Sequence, residues 1–206
     1  MSEVEVIEID IDETLFDFKD GNGLVAAHRH PKGKGWVANT AKVDEDCFIG
    51  EDARVYGNAV VSGNARVYDK ARVYGDATIT NSARVSGNSK VYGNAVVCNN
   101  AMIYGDAEVY EDAKVRNHSQ VYGSAIVCGD ADLSGNIKIN SNNIVTRRAV
   151  AILGFDVDIV ITDHHITLGE YAIPPSQITN IEGVDEEWAK LLSKVAEFHG
   201  CIDNDK

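Results

Sequence analysis

Proline is scarce in this chain, 3 of 206 residues, and so is tryptophan, with 2. Glycine is not, with 18, and the aromatics are mostly tyrosine, with 8. That mix suits a turn-rich β protein better than a helical one. Basic charge is also short: 19 Lys and Arg stand against 32 Asp and Glu, a net charge of −13. General affinity for a nucleic-acid backbone needs phosphate neutralisation by Lys and Arg, so nucleic acid is an unfavoured partner. The four cysteines, Cys47, Cys98, Cys128 and Cys201, match no zinc spacing and no CxxC pair. No apolar run approaches the ~18 residues of a membrane helix. The opening "MSEVEVIEID" is acidic and unlike a signal peptide. The expectation is a soluble, cytoplasmic protein with reduced thiols, no metal site and no membrane contact.

What the chain has is repetition. The stretch "ARVYGNAVVSGNARVYDKARVYGDA", Ala53 to Ala77, says nearly the same thing every six residues. Stepping by six from Val37 to Val145 meets an aliphatic residue nineteen times, nearly always β-branched. Two residues earlier stands a small one, usually Ala, as at Ala53, Ala59, Ala65 and Ala71. Gly, Asn and Asp fall between, residues that tolerate turn geometry and left-handed backbone angles. "A-R-V-Y" alternates like a short strand and "G-N" or "G-D" turns the corner. Three such units close a triangular coil of eighteen residues, a parallel β-helix with hexapeptide period. Nineteen hexads make about six coils, a prism roughly 30 Å long at ~4.8 Å per coil. The open ends expose strand edges and need caps, which the non-repetitive ends of the chain can supply.

Three units follow: residues 1–36 as N-terminal strands and cap, 37–145 as the β-helix, and 146–206 as a C-terminal β segment plus a helix over 185–199. Residues 37–145 carry a net charge of only −3, so the flanks hold most of the acid. In the N-terminal unit "KDGNG" is a strong turn signal. After Val145, "RRAVAILGFDVDIVITDHHITLGEYAIPPSQI" reads as two or three strands with an "LGF" turn. The helix has Asp185 as N-cap, Glu186 and Glu187 in its first turn and Gly200 as its stop. Trp188, Leu191, Leu192, Val195 and Phe198 form its apolar stripe.

Stepping by eighteen reads the columns of each outer face. One face carries Tyr56, Tyr74, Tyr92 and Tyr110 beside Arg54, Arg72 and Lys90, then Glu108. A second carries Tyr68, Ser86, Tyr104 and Tyr122 beside Arg66, Arg84, Met102 and Gln120. The third carries Val60, Thr78 and Val96 beside Ser62, Thr80 and Cys98, and is flat and weakly charged. Like side chains stack well along a coil, and Arg beside Tyr packs by cation–π contact, so the ladders have a purely structural use. The functional use is recognition of a flat anionic ligand or a partner. The ligand-binding candidates are therefore Arg54, Tyr56, Arg72, Tyr74, Lys90, Tyr92 and Tyr110.

The register resembles the bacterial hexapeptide-repeat family. That resemblance implies a left-handed parallel β-helix and a homotrimer. Many members are acyltransferases in which a His acts as general base on an acyl-coenzyme A substrate, beside a loop inserted in the repeat. Here the hexads run without an insertion. His118 is the only His of the repeat, in a column of turn formers with Asp46, Asn64, Ser82, Asn100 and Asn136. It is the alternative catalytic residue, with acyl-coenzyme A as the alternative cofactor. The related hexapeptide-repeat carbonic anhydrases hold zinc with three His, which one repeat His does not supply. His28, His30, Asp163, His164 and His165 could bind a metal only if the two flanks met. The stretch "HRHPKGKGWVANTAKV" leading into "DARVYGNAVVSGNARVY" resembles repeat proteins of bacteriophages and prophages, which implies a phage protein acting inside a bacterial host. There it would sequester a small anionic, nucleotide-like ligand or bind a host protein, or serve as a structural spacer or virion part.

Overall fold

The computed structural model describes residues 14–140 and 144–146 in full, and the backbone of four strands at Val150–Ile152, Ile159–Ile161, Ile166–Leu168 and Tyr171–Ile173. A two-residue strand recurs every six residues from Lys42–Val43 to Ile144–Val145, after a first coil strand at Trp36–Ala38. Nearly every hexad places a β-branched residue inward, and such residues favour extended backbone packed on a pleated surface. The strands stack into three parallel sheets. The first runs from Trp36–Ala38 through Arg54–Val55, Arg72–Val73, Lys90–Val91 and Glu108–Val109 to Ile144–Val145. The second runs from Lys42–Val43 to Asp132–Leu133, the third from Phe48–Ile49 to Lys138–Ile139. Register is in steps of eighteen: Arg54 lies opposite Arg72, and Arg72 opposite Lys90. Among the described residues the chain is an all-β parallel solenoid of about six coils, as the hexad spacing predicts.

Its axis is filled by the predicted aliphatic column. Val55, Val73, Val91 and Ile79, Ile103 and Ile139 are fully buried, with Ala53, Ala71 and Ala107 beside them at the corners. Burial of one such aliphatic side chain is worth roughly 1.5–3 kcal/mol, and the coil accumulates this turn by turn. The wall itself is tied coil to coil by backbone bonds, such as Tyr56 N–H to Val73 O and Tyr74 N–H to Val91 O, both 3.0 Å.

The corners are tight. Gly87 has φ of 71°, and a Cβ there would sit 2.6 Å from the Gly105 carbonyl oxygen. Asn81, Asn99 and Asn117 take the same left-handed conformation at a second corner, with φ of 61°, 62° and 62°, which Asn tolerates better than most residues.

The N-terminal cap is a hairpin. Strands β1 (Leu15–Asp17) and β2 (Leu24–Arg29) pair antiparallel across the KDGNG turn, and β2 pairs antiparallel with β3 (Trp36–Ala38). The first sheet is thereby extended past the first coil, and its otherwise open edge is covered. Beyond the coil, the four strands from Val150 to Ile173 form an antiparallel meander, where the hydrophobic pattern predicts two or three strands. Short apolar runs split by single polar residues do not separate cleanly by pattern alone. The helix expected at 185–199, the LGF turn and the acidic opening strand lie outside the described residues. Among the described residues no helix is long and apolar enough to cross a membrane.

Candidate functional site

The tyrosine column of the first sheet is a continuous stack. Tyr56, Tyr74, Tyr92 and Tyr110 lie with ring centroids 4.9, 4.8 and 4.9 Å apart and nearly parallel planes. Coil spacing sets that distance, because each ring stands on the coil above the last. Phe18 continues the stack above Tyr56, at 4.8 Å. It is 1% exposed, and Tyr56 beneath it is 6% exposed. Phe16 stacks on Trp36 at 4.2 Å and meets Phe18 edge-on at 4.9 Å. The upper end of the ladder is therefore a small aromatic core under the hairpin, and its lower end, Tyr110, is half-buried beside Cys128.

The cations beside the stack divide into engaged and open. Arg54 donates from Nη1 to the Phe18 carbonyl at 3.1 Å and lies 5.4 Å from the Phe16 ring. Lys90 donates to Glu108 Oε1 at 2.7 Å, and the Tyr92 hydroxyl donates to Glu108 Oε2 at 3.3 Å. Arg72, between them, is paired with no carboxylate among the described residues. The phenols respond to this setting. Burial first, then the neighbouring Tyr74, pushes Tyr56 up to about 12. Burial and Glu108 push Tyr92 upward. Tyr110 is pushed up to about 12, first by its hydrogen bond with Cys128 and then by burial. The ladder is thus neutral through the physiological range and its charge comes from the flanking cations.

On the third sheet, Tyr104 and Tyr122 stack at 5.1 Å. Arg66 leans over Phe48 and Tyr68, at 5.1 and 5.9 Å. Beside the second sheet, Arg116 Nε and Nη2 donate to Asp132 at 2.8 and 2.5 Å.

His118 lines an open groove of about 500 Å³ along one corner, with Asn81, Ser82, Asn99, Asn100, Asn117 and Gly135. Asn81, Asn99 and Asn117 form a carboxamide ladder there, each donating to the next at 2.9 Å. His118 Nε2 accepts from Asn100 Nδ2 at 3.4 Å. A general base is usually oriented by an acceptor on its second ring nitrogen. No carboxylate plays that part for His118 among the described residues. The turn column of the sequence places His118 beside Asn100 correctly. The asparagine ladder one position earlier is equally periodic and is readable by the same step of eighteen. The hairpin's addition of Phe16 and Phe18 to the first-face stack is not, because those residues precede the repeat and follow no period, whereas Trp36 stands eighteen residues before Arg54 and opposite it.

The other histidines are part of the cap. His28 Nδ1 lies 2.9 Å from Asn39 Oδ1. His30 is 2% exposed, with its two ring nitrogens 3.1 Å from the Lys32 carbonyl and 3.2 Å from the Asp44 carbonyl. No three His, Cys, Asp or Glu of the described residues gather to hold a metal. Asp163, His164 and His165 lie outside them. Cys47, Cys98 and Cys128 are free thiols.

Two segments of the repeat, residues 53–69 and 71–87, match the sequence pattern of the YdcK β-solenoid repeat. The coil is a β-solenoid with a six-residue period. No curated protein matches the chain. A crystal structure of a Bacillus cereus protein, the BC4754 product provisionally named an acetyltransferase, overlays with a TM-score of 0.32 at 13% identity, covering 79% of this chain and 91% of that one. That score is too low to carry an activity across.

Proposed function

We propose that this protein is a non-catalytic binding module, acting as a trimer, that holds a small flat anion on the open part of its first face. The supporting observation is the juxtaposition of stacked rings at 4.8–4.9 Å with Arg72, a cation that no carboxylate neutralises among the described residues. A tyrosine stack offers π faces and hydroxyls, and a guanidinium binds phosphate or carboxylate through two parallel N–H donors. Tyr74, Tyr92 and Tyr110 contribute the aromatic surface, Lys90 the second positive charge. Arg54 and Tyr56 hold the hairpin against the coil and take a supporting part. Three copies would pack through the flat face of Val60, Thr78 and Val96, where β-branched side chains meet with little charge to desolvate.

The test is a native mass spectrum of the protein purified gently from bacterial lysate, paired with a Arg72→Ala/Tyr74→Ala double variant. The expected result is a trimer carrying an extra small mass, which the double variant lacks while keeping its β circular dichroism. A small molecule that persists in the double variant overturns the reading. So does a rise in Tm with coenzyme A that His118→Ala removes, which would make the corner groove an acyl-transfer site.

A further inference from the structure

The aromatic column of the third sheet has one rung missing. Reading it coil by coil gives Tyr68, Ser86, Tyr104 and Tyr122, and the parallel register puts Arg66, Arg84, Met102 and Gln120 beside them in the same order. Tyr104 and Tyr122 stack at 5.1 Å. Tyr68 stands two coils from Tyr104, so their rings are about 9.6 Å apart, twice the strand spacing. Two aromatic rings separated by twice a stacking distance leave room for one planar ring between them. Ser86, only 8% exposed, forms the sheltered floor of that gap. Every other face position of this kind from Tyr56 to Tyr110 on the first sheet is filled by a tyrosine, so the coil geometry itself accepts a ring at each rung.

Charge is placed to match. Arg84 is exposed and, two residues before Ser86, which directly follows the strand Arg84–Val85, stands about 6.6 Å along the extended backbone on the same outward side. Its guanidinium has no hydrogen bond, ion pair or ring contact among the described residues. Arg66 is engaged with the rings of Phe48 and Tyr68. Asp69, the nearest acid at the corner, is engaged by the Gly87 N–H at 3.0 Å. We infer that the Ser86 gap is a second binding site, which takes the base of a mononucleotide between Tyr68 and Tyr104 and its phosphate on Arg84. Stacking a base between aromatic rings with a guanidinium at the phosphate is a general mode of nucleotide capture. This site uses neither Arg72 nor Tyr74 and stands apart from the proposed first-face site.

The experiment fills the missing rung. Ser86→Tyr puts a ring in the gap at the column's own spacing, so the variant is expected to fold with an unchanged or higher Tm. Isothermal titration with AMP, GMP, CMP and UMP against the wild type is expected to show binding by at least one of them. Ser86→Tyr is expected to weaken it about tenfold or more, the size of one lost stacking contact. Arg84→Ala, which leaves the rung untouched, is expected to weaken the nucleotide more than the matching nucleoside. Ser86→Tyr binding as wild type, or no binding by any of the four, overturns the inference. Loss of nucleotide in Arg72→Ala/Tyr74→Ala alone, with Ser86→Tyr unaffected, would move it to the first face and leave the proposed function standing.

Discussion

Single positions in the repeat are judged by what the coil offers them. Ser89 and Ser119 both stand where most hexads have Ala, and both are fully buried. Ser89 Oγ donates to the Ser86 carbonyl at 2.7 Å. Ser119 Oγ has no partner among the described residues, although its column neighbours Ala65, Ala83 and Ala101 show that a methyl suffices there. A buried hydroxyl without a partner costs about 1–3 kcal/mol. Ser119→Ala is therefore expected to stabilise the protein by roughly 1 kcal/mol, read as a higher urea midpoint at unchanged m-value. Ser89→Ala, which loses a made hydrogen bond, is expected to do the opposite.

The tyrosine ladder behaves as an element in its own right. Its rings are stacked by the coil, sealed at the top by Phe18 and kept protonated by burial. The folded phenols of Tyr56 and Tyr110 sit at about 12, above the value of 10.0 for the free group. The unfolded chain then loses these protons first as pH rises. The stabilisation is complete below the unfolded value and is lost on passing up through the folded one. Thermal melts are expected to give a level Tm up to about pH 9 and a decline between about pH 10 and 12. Tyr56→Phe, which keeps the ring and removes the proton, is expected to shallow that decline. An equal slope in both proteins would show that the ladder plays no part in it.

For the molecule as a whole, the coil is a one-dimensional stack in which each turn meets only its neighbours. Its faces stay in register only if material is removed in units of eighteen residues. Deleting residues 77–94 joins Asp76 to Ala95 and brings Tyr74 onto Tyr110. Deleting only 77–82 keeps the inward aliphatic column but places Cys98 under Tyr74 and cuts the ladder. The shorter deletion is therefore expected to melt at the lower temperature, by several degrees, even though it removes fewer residues. Circular dichroism melts of the two deletions check this, and the reverse order would mean that the side-chain columns add little to the stack.

The sequence by itself determined the coil: six-residue spacing of β-branched residues, Ala at the corners and Gly or Asn in the bends admit one way of burying the apolar column. It also determined which residues share a column, so the Tyr56–Tyr110 ladder, the arginines beside it and the neighbourhood of His118 and Asn100 were legible by counting eighteens. Tertiary structure alone decided what those columns touch. The hairpin has no period, so nothing in its spacing says that Phe18 seals the ladder or that the Phe18 carbonyl takes Arg54. Side-chain reach decides that Lys90 meets Glu108 while, among the described residues, Arg72 and Arg84 meet no carboxylate. Strand register is a property of the repeat, readable in one dimension; pairing of charges and closing of edges depend on distances across the fold, which exist only once the coil is wound.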